Sequence, residues 1–194
     1  MKKSAIGLFV KCGKAIAVLL NVDKKPQVID RRMISLADPS IPDSIQPFHV
    51  FETKSGREAE DLIEKLKKIV VKVSADSINE LLKEYRKLGH SPDRAALVVG
   101  STIDPAKLKN EHIRWHALEG QLFRTSVENA LLKKQLKCSI VLSGEVYKKS
   151  SEVLKKKEED LKKAAKEIGS EFSPWRSEEK SASMAAWMSC IRKS

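Results

Sequence analysis

The order of hydrophobic and polar positions predicts strands at the start of the chain. Residues 4–36 contain three apolar runs separated by turn residues, which is the pattern of an antiparallel β-meander. The turns are predicted at 12–14 and at 23–26, where Pro26 restricts the backbone. The second run, AIAVLLNV, is apolar nearly throughout and is predicted to be covered on both faces. The third has mixed polarity, which is typical of a strand with an exposed face or of an edge strand.

From Glu58 the apolar positions recur with the period of an α-helix. We expect this helix to break near residues 74–76 and a second helix to begin at a capping box of Ser77 and Glu80. The run IVVKVS leaves a buried strand open as an alternative at the same place. The preceding loop, 37–57, is rich in proline and serine, and its FHVFE segment is predicted to be extended.

The second half of the chain alternates between strands and helices. Strands are predicted at 94–101 and 138–143, and helices at 104–136, 146–168 and 173–191. Connections of helical length imply parallel pairing of these two strands beside the meander. The predicted fold class is α/β: a mixed five-stranded sheet, made of an antiparallel meander and two parallel strands, with helices on both faces. One domain is expected to span residues 1–194.

The net charge is the strongest compositional signal. The chain carries a formal charge of +11, which favours a polyanionic partner, with nucleic acid first and an anionic membrane surface second. A soluble surface rich in lysine explains the same charge without a partner. No apolar run approaches the roughly 20 residues of a membrane helix. The three cysteines are far apart and form no CxxC pair, which favours a cytoplasmic protein without disulfides or a thiolate zinc site.

Three segments carry a family resemblance, and they lie at corresponding places in the predicted topology. They are IGLFVKCGKAIAV (6–18), AALVVGS (95–101) and SEEKSASMAAW (177–187). With the order of elements, they resemble the ribonuclease-H-like superfamily, and within it the RuvC-type Holliday-junction resolvases. The resemblance implies cleavage of nucleic acid by two divalent metal ions, held by carboxylates from these three segments.

The chain departs from the family pattern at the acidic positions. The resemblance would place the acids at about Phe9, at Gly100 or Ser101, and at two positions of the last helix. Of these, Glu178 retains a carboxylate, with Glu179 next to it. Both are candidate catalytic residues, although acids at the start of a helix are also common because they interact favourably with its dipole. We therefore expect a nucleic-acid-binding or processing protein with a degenerate nuclease-like site.

A second candidate group lies on the predicted helix 104–136. His112, His116 and Glu119 are spaced so that they share one helical face. Two imidazoles and a carboxylate are suited to iron or zinc. The same face continues into apolar positions, so a hydrogen-bonded polar cluster at the end of a core stripe is the simpler interpretation. The sequence indicates no definite metal site, and a divalent metal ion stays open as a cofactor.

Two further features concern charge. The segment 148–169 is predicted to contact nucleic acid, although a solvated amphipathic helix would have the same composition. Its candidate residues are Lys148, Lys149, Lys155, Lys156, Lys157, Lys162 and Lys163. Cys12 lies between Lys11 and Lys14, whose charges are expected to lower the pKa of a thiol. No histidine partner for a nucleophilic cysteine is apparent from the sequence.

Two alternative functions remain open at this point. One is a metal-dependent phosphodiesterase or nuclease with a non-standard site assembled from Glu178, Glu179, His112, His116 and Glu119. The other is a scaffold that binds a protein partner through its lysine-rich helices without catalysis. A homodimer is compatible with either alternative.

Overall fold

The computed structural model describes residues 3–23 and 25–191, and within these ranges the chain forms five strands and five α-helices. The strands are β1 (Ser4–Lys11), β2 (Lys14–Asn21), β3 (Gln27–Ser35), β4 (Arg94–Val99) and β5 (Lys137–Leu142). The helices are α1 (Gly56–Lys87), α2 (Glu111–Lys133), α3 (Val146–Leu154), α4 (Glu158–Glu167) and α5 (Ser177–Ile191). None of the described helices is both long and apolar enough to cross a membrane.

The strands form one mixed sheet in the order β3-β2-β1-β4-β5. The meander pairs antiparallel, whereas β1 pairs parallel with β4 and β4 with β5. The predicted mixed sheet is therefore confirmed, and β3 lies at an edge, which is one of its two predicted alternatives. Because β1, β4 and β5 run in one direction, they end at the same border of the sheet, which we call the carboxyl edge.

Helices cover both faces of the sheet, as predicted. On one face, Leu8 and Leu97 pack with Phe123 and Val127 of α2 and with side chains of α1. On the other face, Val98 packs against side chains of α3, α4 and α5. Successive strand residues point to opposite faces, so β4 contributes alternately to the two apolar clusters.

The first long helix is continuous, and the predicted break at 74–76 is wrong. Helix α1 has 32 residues, and neither a second cap nor a buried strand interrupts it. Val70, Ser74 and Ile78 succeed one another along its buried stripe. The hydroxyl of Ser77, which was expected to cap a helix, instead donates to the carbonyl oxygen of Ser35 at 2.6 Å.

Other boundaries also differ from the prediction. The segment 146–168 is divided into α3 and α4 at Lys155, which adopts a left-handed conformation with φ of 54°. Asp104 caps only a 3-10 turn, and α2 begins later, where Asn110 Oδ1 accepts a hydrogen bond from the Ile113 amide at 3.0 Å. The last helix begins at Ser177. The FHVFE segment is part of a 3-10 helix, Pro47–Glu52, and not an extended strand.

Helix α5 lies directly against the central strand β1. A Cβ atom built on Gly7 would overlap the carbonyl oxygen of Ala182 in α5. The facing part of α5 is made of small buried residues, which allow the two backbones to approach: Ser181, Ala182, Ser183, Ala185 and Ala186. This close contact fixes where α5 begins relative to the carboxyl edge.

Gly7→Ala is expected to lower the free energy of unfolding by about 3 kcal/mol or more, because the new methyl group meets backbone that cannot move without displacing α5. Urea unfolding measures the change. Gly120→Ala is the matched control: Gly120 lies in α2 with no atom near its missing Cβ, so alanine should stabilise the protein by about 0.5–1 kcal/mol. Equal stability of Gly7→Ala and the wild type would refute the close packing of α5 on β1.

Candidate functional site

A pocket of about 250 Å³ opens at the carboxyl edge, between the ends of β1 and β4 and the side of α2. Its polar lining comes from Lys11, Cys12, Ser101 and His116, and the rest is glycine or apolar. Among the described residues that line it, none carries a carboxylate. The pocket is therefore basic to neutral in character.

The acid at the start of α5 does reach the end of β1, where it is paired with a cation. Glu178 Oε1 lies 3.2 Å from Nζ of Lys11, and both side chains are partly exposed. Phe9 packs into the apolar clusters beneath α5, and Val10 belongs to the cluster on the opposite face. The neighbourhood in which the resemblance would place the first-strand acid is thus apolar, with a lysine at its end.

Glu179 makes contacts that anchor the start of α5. Its side chain is 1% exposed, and Oε1 accepts hydrogen bonds from the guanidinium of Arg31 in β3. Oε2 accepts from the backbone amide of Arg176 at 3.0 Å, as in a capping box. Burial of Glu179 opposes ionisation, but the hydrogen bonds from Arg31 and the backbone outweigh it and lower its pKa.

The structure brings a third histidine to the predicted cluster on α2. His49 belongs to the 3-10 helix Pro47–Glu52, and its Nδ1 lies 2.8 Å from Oε1 of Glu119, 70 positions further along the chain. We call His49, His112 and His116 the histidine cluster. One ring nitrogen of each lies within 4.8 Å of those of the other two. His49 lies alone in a proline-rich loop, where no periodic pattern could have predicted this contact.

The histidine cluster surrounds a buried carboxylate. Glu119 has no exposed side-chain surface, and its Oε2 lies 3.5 Å from Nδ1 of His116 without forming a hydrogen bond. The Nε2 atoms of His112 and His116 are 3.1 Å apart. Glu52, from the same 3-10 helix as His49, places Oε1 at 3.7 Å from Nδ1 of His112.

Aromatic side chains flank the cluster on one side. The Trp115 ring lies 5.9 Å from His49 and 5.8 Å from His112, measured between ring centroids. Phe51 stacks on Trp115 at 6.1 Å. His116 connects the cluster to the carboxyl-edge pocket, because it belongs to both.

Cys12 does not have the environment of an activated thiol. Burial, and after it the charge of Glu119, raises the pKa of Cys12 to about 11. The expectation that Lys11 and Lys14 would lower this pKa is therefore wrong. The ammonium group of Lys11 is paired with Glu178 instead.

The candidate lysines lie on the α5 side of the sheet, opposite the histidine cluster, and all except the half-buried Lys149 are exposed. Lys149 pairs with Glu145 at 2.8 Å and Lys162 with Glu158 at 3.9 Å. The turn between α3 and α4 presents 155–157 as three consecutive exposed lysines. Their contact with nucleic acid stays a prediction.

Glu179→Gln is expected to lower the free energy of unfolding at pH 7 by about 1–3 kcal/mol, because Arg31 loses its charged acceptor. Folding lowers the pKa of Glu179. The stabilisation that this carboxylate contributes is therefore complete above the ordinary glutamate pKa of about 4.3, and it is lost as the pH falls through the pKa of the folded state. Unfolding curves at several pH values measure it. The control, Glu178→Gln, removes a partly exposed pair and should cost less than about 1 kcal/mol. Equal effects of the two substitutions would contradict the anchoring role of Glu179.

The sequence matches no family model and no curated protein. Among solved structures, one of RuvC from Thermus thermophilus superposes with a TM-score of 0.57 at 12% identity, covering 95% of this chain and 92% of that chain. A second, of T. thermophilus RuvC in complex with a Holliday junction substrate, gives a TM-score of 0.58 at 12% identity, with 95% and 91% coverage. The likeness extends over almost the whole of both chains, so this protein has the ribonuclease-H-like fold in its RuvC-like form.

Proposed function

We propose that this protein binds nucleic acid with a RuvC-like fold and lacks the carboxylate centre through which the resolvases that it resembles cleave their substrates. The observation that carries the proposal is the pocket at the carboxyl edge, which has Lys11 in its wall and no carboxylate among its described lining residues. Such a pocket lacks the carboxylates that a pair of metal ions needs. Lys11 is paired with Glu178 at the border of the sheet, and a phosphate would compete with that carboxylate for the ammonium group.

The catalytic part of the proposal depends on what two-metal hydrolysis requires. Two ions about 4 Å apart need several carboxylates that converge on them from different elements. Here Glu178 is paired with Lys11, and Glu179 is engaged by Arg31 and a backbone amide. A lysine ammonium at this position also repels a divalent cation. These contacts support a binding role over metal-dependent cleavage at this edge.

The binding part depends on charge and fold together. The formal net charge of +11 attracts a polyanion, and binding releases the counterions condensed on its phosphates. The lysines at 155–157 are exposed, and none of them forms an ion pair with another described residue. In T. thermophilus RuvC, the same fold was solved with a Holliday junction substrate. A branched nucleic acid is therefore the first ligand to test.

Binding is expected to weaken steeply with salt. Fluorescence anisotropy with labelled four-way junction, duplex and single-stranded DNA or RNA, each at several salt concentrations, measures it. The logarithm of the binding constant falls linearly with the logarithm of the salt concentration. Replacing Lys155, Lys156 and Lys157 together by Gln should make this slope less steep by roughly 0.9 for every phosphate that a lysine no longer neutralises. The control replaces Lys65, Lys68 and Lys134 by Gln, the same charge change at exposed positions of α1 and at the end of α2.

No salt-sensitive binding to any of these ligands would overturn the proposed function. An equal loss of affinity in both triple variants would show that the ligand is attracted by the whole charged surface. It would exclude a defined contact at the α3–α4 turn. Self-association or a copurifying protein without nucleic-acid binding would favour the scaffold alternative.

Metal-dependent hydrolysis is the second candidate function, because His116 lines the same pocket as Lys11. Under our proposal, the purified protein leaves a labelled junction uncut in Mg²⁺, Mn²⁺ or Zn²⁺. Cleavage that is abolished in His116→Ala and retained in Glu111→Gln would establish the second candidate in place of the first. Gel analysis of the junction after prolonged incubation distinguishes the two.

A further inference from the structure

We infer that the histidine cluster is a binding site for a divalent transition-metal ion of the zinc type, with Glu119 as the buried carboxylate that orients its ligands. The site is formed by α2 together with the 3-10 helix Pro47–Glu52. It uses none of the lysines and can be tested without nucleic acid, although His116 also lines the carboxyl-edge pocket.

The distances between the three imidazoles match a small coordination sphere. Zinc–nitrogen bonds of about 2.0–2.1 Å in a tetrahedral site place neighbouring nitrogens about 3.3 Å apart. The Nε2 atoms of His112 and His116 are already 3.1 Å apart, and all three histidines offer a nitrogen within 4.8 Å. Both α2 histidines are about half exposed, so their rings can rotate to close the remaining gap.

A carboxylate lies on the Nδ1 side of each ring, so Nε2 is the nitrogen that we expect to bind the metal. Nδ1 of His49 faces Glu119 at 2.8 Å, and Nδ1 of His116 faces the other oxygen of Glu119 at 3.5 Å. Nδ1 of His112 faces Glu52 at 3.7 Å. Of these three contacts, the one with His49 is a hydrogen bond. A carboxylate that accepts from Nδ1–H fixes the tautomer and leaves Nε2 unprotonated for a metal ion, as in carboxylate–histidine–zinc arrangements.

The environment of Glu119 gives independent support. A carboxylate with no exposed surface is costly unless both oxygens are paired, yet Oε2 accepts no hydrogen bond from the described residues. A metal ion on Nε2 of His49 and His116 would hold both Nδ1 protons toward Glu119. Each oxygen would then have a donor, and the cation would balance the buried negative charge.

The donor set and the exposure define the class of ion. Three imidazoles without a thiolate favour zinc and the neighbouring transition metals over Mg²⁺ or Ca²⁺, which prefer oxygen ligands. The side chains of His112 and His116 are 55% and 48% exposed, so an ion bound to them would be accessible to solvent. Three protein ligands with one open position are the arrangement of a site that holds a water molecule or a substrate.

The test uses the full chain after treatment with a chelator and dialysis. Isothermal titration with Zn²⁺ is expected to give one equivalent per chain, and Co²⁺ should produce visible absorption of tetrahedral coordination. Excess Mg²⁺ should not displace either ion. The fluorescence of Trp115, which contacts His49 and His112, should change on binding, and Trp115→Phe identifies its share of the signal.

Single variants assign the roles of the residues. His49→Gln, His112→Gln and His116→Gln should each abolish stoichiometric binding, with circular dichroism confirming that the fold is retained. Glu119→Gln should weaken binding by about 10–100-fold without abolishing it, as expected of a positioning residue behind the ligands. Glu111→Gln is the control: it removes an acid of the same helix that pairs with Arg114, and binding should not change.

Two results would overturn the inference. One is weak Zn²⁺ binding without defined stoichiometry that persists in His116→Gln. The other is full binding in His49→Gln, because it would show two α2 histidines chelating an ion without the second element. Neither result bears on salt-dependent nucleic-acid binding, so failure of the metal site and failure of the proposed function are distinguishable.

Discussion

Helix α5 crosses the central strand β1 with no side chain between the two backbones at Gly7, and the other elements on this face of the sheet pack around that contact. The small residues of α5 permit the approach, and the salt bridge between Arg31 and Glu179 fixes the start of the helix against the meander. The next carboxylate, Glu178, is thereby held at the end of β1. Helices α3 and α4 then pack around α5 on the same face of the sheet.

The position of α5 explains the electrostatic character of the carboxyl edge. The resemblance of the sequence to the RuvC-type resolvases predicts an acid of the last helix beside acids of the sheet. In this chain, α5 brings Glu178 to Lys11, and the pair neutralises itself. A shared fold therefore does not bring a shared set of charges, which is why function has to be argued from side chains and not from topology.

Much of the fold could be predicted because the spacing of apolar residues along this sequence differs clearly between strands and helices. The errors came from interactions that no local pattern reveals. Ser74 suggested a break, but its place on the buried stripe continues the helix, and Lys155 ends α3 without a glycine or proline to mark it. The pKa of Cys12 depends on burial and on Glu119, which is distant in sequence. The contact of His49 with Glu119 is equally non-local.

The spacing of His112, His116 and Glu119 predicted a shared helical face, but a single face cannot distinguish a core stripe from a metal site. The structure separates the two components of that face: Glu119 is fully buried, whereas the histidines are half exposed. Among the described residues, one oxygen of Glu119 is hydrogen-bonded to His49, and the other lies 3.5 Å from Nδ1 of His116 without a hydrogen bond. Because His116 also lines the pocket at the carboxyl edge, an ion bound to the histidine cluster would lie next to that pocket, on imidazoles from the face of the sheet opposite α5. Chemistry at that border would then depend on α2 and its neighbouring 3-10 helix, and α5 would retain only its structural role.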